Sequence, residues 1–312
     1  MPRRSILVGF SVIVIILFVL GLLVGPLGKI FFGDIAWLPG WLSVPEPHIE
    51  LPAEVVFHIF GLPITNSIVA AWITVIVLAT LSFIITRRMK IVPGRLQAAF
   101  EFLLGWLYDF CCSAAGEKDG RRFFPVVATI FLFVGFNAWL GLLPGYGSIT
   151  INTHEGAVHL IRPANTDINM PLAIAVISVL FVQFFGLKTL ERRYIAKFIN
   201  VGGFFRGLQQ VARGKIGAGF NAIFTGIIEI FVGFLELLSE FIHIISFTFR
   251  LFGNMTAGEI LLLVASFLVP FVFALPFYGL ELLIGFIQAL IFAGLTLIFL
   301  TLAVTSHEEE SH

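Results

Sequence analysis

The sequence predicts an all-α integral membrane protein with about six membrane-associated spans, and three observations predict it. Apolar residues make up 58% of the 312 and charged residues 12%, against roughly 25% charged in a soluble domain. The apolar residues are gathered into runs at or above the roughly 20 residues that cross a bilayer. The basic residues fall between those runs, in alternate connections.

The first run, about 5–25, follows Arg3 and Arg4 and starts as a signal peptide does. Its core is long and no Ala-x-Ala site follows, so it is expected to remain as an extra N-terminal transmembrane anchor (1–25). Gly21 and Gly25 form a single GxxxG there, a spacing that admits close helix packing. Residues 26–65 are an outer Pro-rich segment, with Pro39, Pro45, Pro47, Pro52 and Pro63 among Asp34, Glu46, Glu50 and Glu54. Spans follow at 66–86, 124–144 and 170–188. The shorter apolar segment 96–112 carries Glu101 and Asp109 and reads as an interfacial amphipathic or re-entrant helix.

The last two runs are about 220–268 and 274–304. As one helix the first would be roughly 70 Å long against a hydrocarbon core of roughly 30 Å. It must tilt steeply, bend, or begin along the surface. Gly253 and Gly258 would permit a bend or close contact with another helix, and Pro270 ends the pattern. These two runs are the expected long, tilted helix pair of one membrane domain, 66–306, with a tail at 307–312.

With the N-terminus in the cytoplasm, sixteen of the nineteen Lys and Arg fall in cytoplasmic segments. Only Lys29 and Arg162 lie outside, and Arg250 lies within the membrane. The positive-inside rule selects this orientation. Counting 220–268 as a single crossing puts the C-terminal tail, with Glu308 to Glu310, in the cytoplasm too.

Several function classes are excluded. Two adjacent cysteines, Cys111 and Cys112, cannot build a disulfide framework and read as apolar filler. Nothing suggests nucleic-acid binding. His154 and His159 are five apart in a loop, whereas a zinc protease motif needs two His four apart on one helical face. No metal or cofactor is expected. His154, Glu155, His159 and Asp167 read as a solvated outer loop, with a polar vestibule as the alternative.

Arg250 is the most informative residue. A cation at bilayer depth costs roughly 2.5–3.5 kcal/mol on insertion scales, so it normally faces a protein interior or a water pathway. Glu229, Glu236, His243 and Arg250 are seven apart each time, which keeps them on one slowly drifting helical face. Glu240 and Asn254 lie near it. The stripe would line a hydrated path to Arg250; mutual neutralisation of Glu236, His243 and Arg250 is the alternative. Glu259, nine residues beyond Arg250, falls half a turn away and about 13 Å further along. Glu281 and Gln288 are seven apart on the final span and share a face. Glu281 alone would also suit an interfacial carboxylate.

The run Phe249-Arg-Leu-Phe-Gly-Asn-Met-Thr-Ala-Gly-Glu259 closely resembles the signature of subunit a of F-type ATP synthases. Val92-Pro-Gly-Arg-Leu-Gln97, Asn137 with Gly-Leu-Leu-Pro-Gly at 141–145, and Ile287-Gln-Ala-Leu-Ile-Phe292 resemble further family segments in the same order. The likeness covers about 60–306. It implies a proton-translocating stator subunit, non-catalytic by itself, in a bacterial plasma membrane. Its implied partners are the c-ring, the peripheral-stalk b subunits, the rest of the complex and the bilayer.

Residue by residue, the resemblance makes Arg250 the essential arginine facing each passing c-subunit carboxylate. It makes Glu259, Glu281, Gln288 and Asn137 outer half-channel positions. Glu236, His243, Ser246 and Asn254 resemble inner-path positions, with Glu240 and Glu229 on the same stripe. His243 stands where some members have lysine. The stand-alone alternative, a proton-coupled secondary transporter using Glu259 and Glu281, would usually show inverted repeats, and none is visible.

Overall fold

The computed structural model describes residues 2–33, 52–87, 89–143, 145–146, 149–153, 156–191, 194–195, 198, 202–213 and 216–305. Asp34, Pro39, Pro45, Glu46, Pro47, Glu50, His154, Glu155 and the tail 307–312 lie outside the described residues.

The helices are α1 (Pro2–Val24), α2 (Pro26–Phe32), α3 (Asn66–Arg87), α4 (Arg95–Gly141), α5 (Asn169–Leu190), α6 (Gly202–Ala212), α7 (Ile216–Leu268) and α8 (Leu275–Val304). Five of them, α3, α4, α5, α7 and α8, are long and apolar enough to cross a membrane. The expected span at 5–25 is α1, whose described apolar run is Val8–Val24. The all-α membrane class holds. Two small hairpins were not anticipated: β1 (Val55–Ile59) with β2 (Leu62–Thr65), and β3 (Thr150–Thr153) with β4 (Gly156–His159).

The helices form because their apolar runs are nearly free of interior proline; Pro125 lies inside α4, and the helix continues through it. α7 contains none over 53 residues, and it runs through Gly253 and Gly258 without interruption. α4 is different. At Gly116 the backbone takes φ 80°, ψ 162°, a region open essentially to glycine alone. There the chain reverses. Tyr108 meets Phe124 edge-on at 5.4 Å, and Trp106 lies 6.5 Å from Phe131. The segment expected to be interfacial or re-entrant is therefore one arm of a helical hairpin, folded onto 117–131. Gly116→Ala meets open space around its new Cβ, so its cost is conformational, about 1–3 kcal/mol. Denaturant unfolding of the purified protein checks this.

The chain divides into two compact units. One unit comprises 1–84, 132–170 and 251–290. Its apolar centre packs Ala70, Ala71 and Ala164 against Phe133, Tyr146, Ile161 and Met170. Gly21 and Gly25 of α1 press directly on the carbonyls of Pro270 and Leu268, the close approach their spacing admits. A buried polar cluster braces this unit. Ser67 donates to Asp167 at 2.6 Å, Asn137 Nδ2 donates to Thr74 at 3.0 Å, and the Asn165 amide donates to Asn137 Oδ1 at 3.2 Å. Asp167 is buried, which corrects the reading of this residue as part of a solvated loop; His159 is exposed.

The other unit comprises 85–131, 171–250 and 291–312. Leu107, Cys111, Phe123, Val127, Ala293, Leu297 and Leu300 are its buried filling. Ser178 and Thr296 share a 2.7 Å hydrogen bond inside it. Cys111 is free and buried, as apolar filler should be. The long connection before α7 is not all loop: α6 packs against the start of α7, with Gly203 beside Gly226 and Gly207 beside Ile223.

Candidate functional site

Arg250 stands in the middle third of α7, held by helix on both sides. Its side chain is exposed, and among the described residues it makes no hydrogen bond or ion pair. Ser246, Gly253, Asn254 and Ala257 are exposed as well, at the three- and four-residue spacings of one helical face. The alternative reading, neutralisation of Arg250 by Glu236 and His243, has no such contact among the described residues.

Along the preceding turns Glu236, Glu240 and His243 are half-buried. His243 Nδ1 lies 4.0 Å from Glu240 Oε2. The imidazole stacks over Phe299 with ring centres 4.2 Å apart. Tyr194, buried, donates its hydroxyl to Gln183 at 2.8 Å and seats its ring on Gly186. Burial pushes the Tyr194 hydroxyl up to about 12, and the nearby Glu240 and Glu236 carboxylates add to the rise. That stabilising contribution is complete below pH 10 and lost as pH climbs toward 12, so this phenol stays neutral near pH 7. Glu229 is placed differently from its partners on the stripe: its carboxylate lies against Gly203 of α6.

The other group of predicted residues lies in the first unit. Glu259 and Glu281 both line a cavity of about 330 Å³, together with Tyr146, Thr166, Met255 and Tyr278. This volume is far above what one water needs. The buried Tyr146 hydroxyl has no hydrogen-bond partner among the described residues. Burial pushes that phenol up to about 12. Glu281 is 6% exposed and fills the space left by the missing side chain of Gly258. Trp139 Nε1 donates to the carbonyl of Leu282 at 3.1 Å, fixing this turn of α8.

Glu259 Oε2 accepts from Arg162 Nη2 at 3.0 Å. Arg162 Nη1 also donates to the Pro52 carbonyl at 3.3 Å, so the guanidinium bridges Glu259 and the backbone before β1. Gln288 and Asn137 are buried, at 8% and 0% exposure, and neither lines the cavity. Asn137 is committed to the Thr74 and Asn165 hydrogen bonds. Gly258 makes the close helix contact its sequence position allowed. Not foreseen were Arg162 and Tyr146 in the first unit and Tyr194 and Gln183 in the other; of these Arg162 had a sequence signal, as the isolated basic residue of an otherwise basic-poor connection.

An exposed cation on a long apolar helix, and two carboxylates lining one cavity, are groups able to exchange protons with a passing acid or with water. Comparison with known proteins gives the family. The family described as ATP synthase A chain matches residues 68–301. The chain is 28% identical over 257 residues to ATP synthase subunit a of Moorella thermoacetica, covering 82% of this chain and 98% of that one. It is 30% identical over 233 residues to ATP synthase subunit a of Desulfosudis oleivorans, covering 74% and 85%. It is 30% identical over 241 residues to ATP synthase subunit a 3 of Pelobacter propionicus, covering 77% and 86%.

Proposed function

Because this chain belongs to the ATP synthase A chain family, and so is a multi-pass membrane subunit of a proton-transporting ATP synthase, we propose that Arg250 separates two offset half-channels facing a rotating ring of small subunits. The family membership replaces the stand-alone transporter alternative. The single observation that supports the reading is Arg250 itself, an exposed cation on an apolar helix without a partner in its own described chain.

Electrostatics supplies the cycle. A ring carboxylate cannot face lipid charged at acceptable cost, so it is protonated there. Beside Arg250 the charged form is favoured, so the carboxylate releases its proton on arrival. Glu259 and Glu281, around their cavity, form the outer path, with Gln288 and Asn137 supporting it. Glu236, Glu240, His243, Ser246 and Asn254 form the inner path, which Glu229 extends. At 100 mV each transferred charge supplies about 2.3 kcal/mol, so several transfers combine for each ATP. The chain itself is non-catalytic. It works with the ring, the peripheral-stalk b subunits and the remaining complex in a bacterial plasma membrane, both termini in the cytoplasm.

The test is proximity. Cysteine at exposed Ser246 or Asn254 is expected to form an oxidative cross-link to a cysteine placed beside the ring carboxylate in the purified complex. A purified assembly that contains the ring yet yields no cross-link at either position overturns the placement. Glu259→Gln is a second expected outcome. It removes the charge that meets Arg162 and slows ATP-driven proton pumping by about tenfold, the effect of a barrier raised by about 1.4 kcal/mol. Dye-quench rates in proteoliposomes measure it.

A further inference from the structure

Between Glu191 and Glu229 the sequence carries Arg192, Arg193, Lys197, Arg206, Arg213 and Lys215 and no acidic residue. Within this stretch α6 divides into three sectors when residues are set about 100° apart around the helix. Gly203 and Gly207 form the first, pressed on α7. Phe205 and Leu208 form the second, 63% and 54% exposed. Arg206 and Gln209 form the third, continued by Arg213 just past the helix end, all exposed. The apolar sector is thus separate from the packed one and has no cover among the described residues.

A short helix that shows aromatic and aliphatic side chains on one side and basic ones on another matches the chemistry of the membrane boundary. Its net positive charge, unrelieved over the whole stretch, is complementary to anionic headgroups. The start of α7, packed beside it, exposes Ile216, Phe220 and Phe224, so the apolar surface continues into a helix that enters the bilayer. We propose that α6 is a lipid-binding surface helix: Phe205 and Leu208 lie at the acyl boundary, and Arg206 and Arg213 recruit anionic phospholipid. It would fix the depth at which α7 begins. The inference rests on the proposed cytoplasmic placement of this segment.

Nitroxide labels on single cysteines at 205, 208 or 209, in the intact complex with Cys111 and Cys112 replaced, test it. The vesicles are phosphatidylethanolamine with phosphatidylglycerol, compared with phosphatidylcholine alone. In the anionic vesicles, labels at 205 and 208 are expected to collide with oxygen in preference to a water-soluble nickel chelate, and the label at 209 the reverse. Arg206→Gln and Arg213→Gln each lower the docked-to-undocked ratio about fivefold on anionic vesicles and leave it unchanged on phosphatidylcholine. Equal nickel access at all three positions, meaning a helix free in water, overturns the proposal. Protection of 205 and 208 from both reagents, meaning a protein cover, also overturns it. Labelling of position 209 by an impermeant thiol reagent from one side reports orientation separately, so a failure of the cytoplasmic placement is distinguishable from a failure of lipid binding.

Discussion

Arg250→Ala is expected to abolish ATP-driven proton pumping and coupled ATP synthesis while the complex still assembles. The side chain is exposed and makes no hydrogen bond or ion pair among the described residues, so its removal leaves no orphaned partner in its own chain. What disappears is the field at the ring. A cation within about 4–6 Å lowers a carboxylate pKa by about 1–3 units, a factor of about ten to a thousand in the ionised population. Without it the arriving acid keeps its proton, and the barrier between the two paths is gone. Arg250→Lys retains the charge but loses the planar fork, so it is expected to recover part of the pumping. Dye quenching in proteoliposomes measures both. Full pumping by the alanine variant would refute the assigned role.

The second large effect is expected at Gly258. A Cβ there would overlap the Glu281 carboxylate, so Gly258→Leu must push Glu281 off its seat and fill part of the cavity. Proton flow is expected to fall more than about tenfold, a barrier increase above about 1.4 kcal/mol. Glu281→Asp shortens the acid and makes room. Paired with Gly258→Ala it should restore more flow than Gly258→Ala alone retains, a coupling that a double-mutant cycle resolves. If the two substitutions are additive, Gly258 is not there to seat Glu281.

Much of this was legible in the sequence, and the reason differs between residues. Charge in an apolar run is conspicuous, so Arg250, Glu259 and Glu281 stood out at once. The spans were legible because bilayer thickness dictates their length. The pairing of Glu259 with Arg162 was not, because 97 residues separate them and no local periodicity encodes such a contact. Ser67, Thr74 and Asn165 escaped notice because small uncharged polar side chains hardly disturb an apolar pattern, yet folding buries them together. Gly116 sat in a polar stretch that read as a simple connection. Only its backbone angle reveals a reversal. The amphipathic pattern of α6 spans only 11 residues, too short to stand out between two apolar runs.

The unbroken course of α7 has a mechanical corollary. It carries Arg250 within 53 residues of continuous helix that contain no proline. In the proposed role, the stationary side must resist the sideways thrust of each passing rotor subunit. Backbone hydrogen bonds that run on either side of the charged tooth oppose that load where a proline break would yield to it.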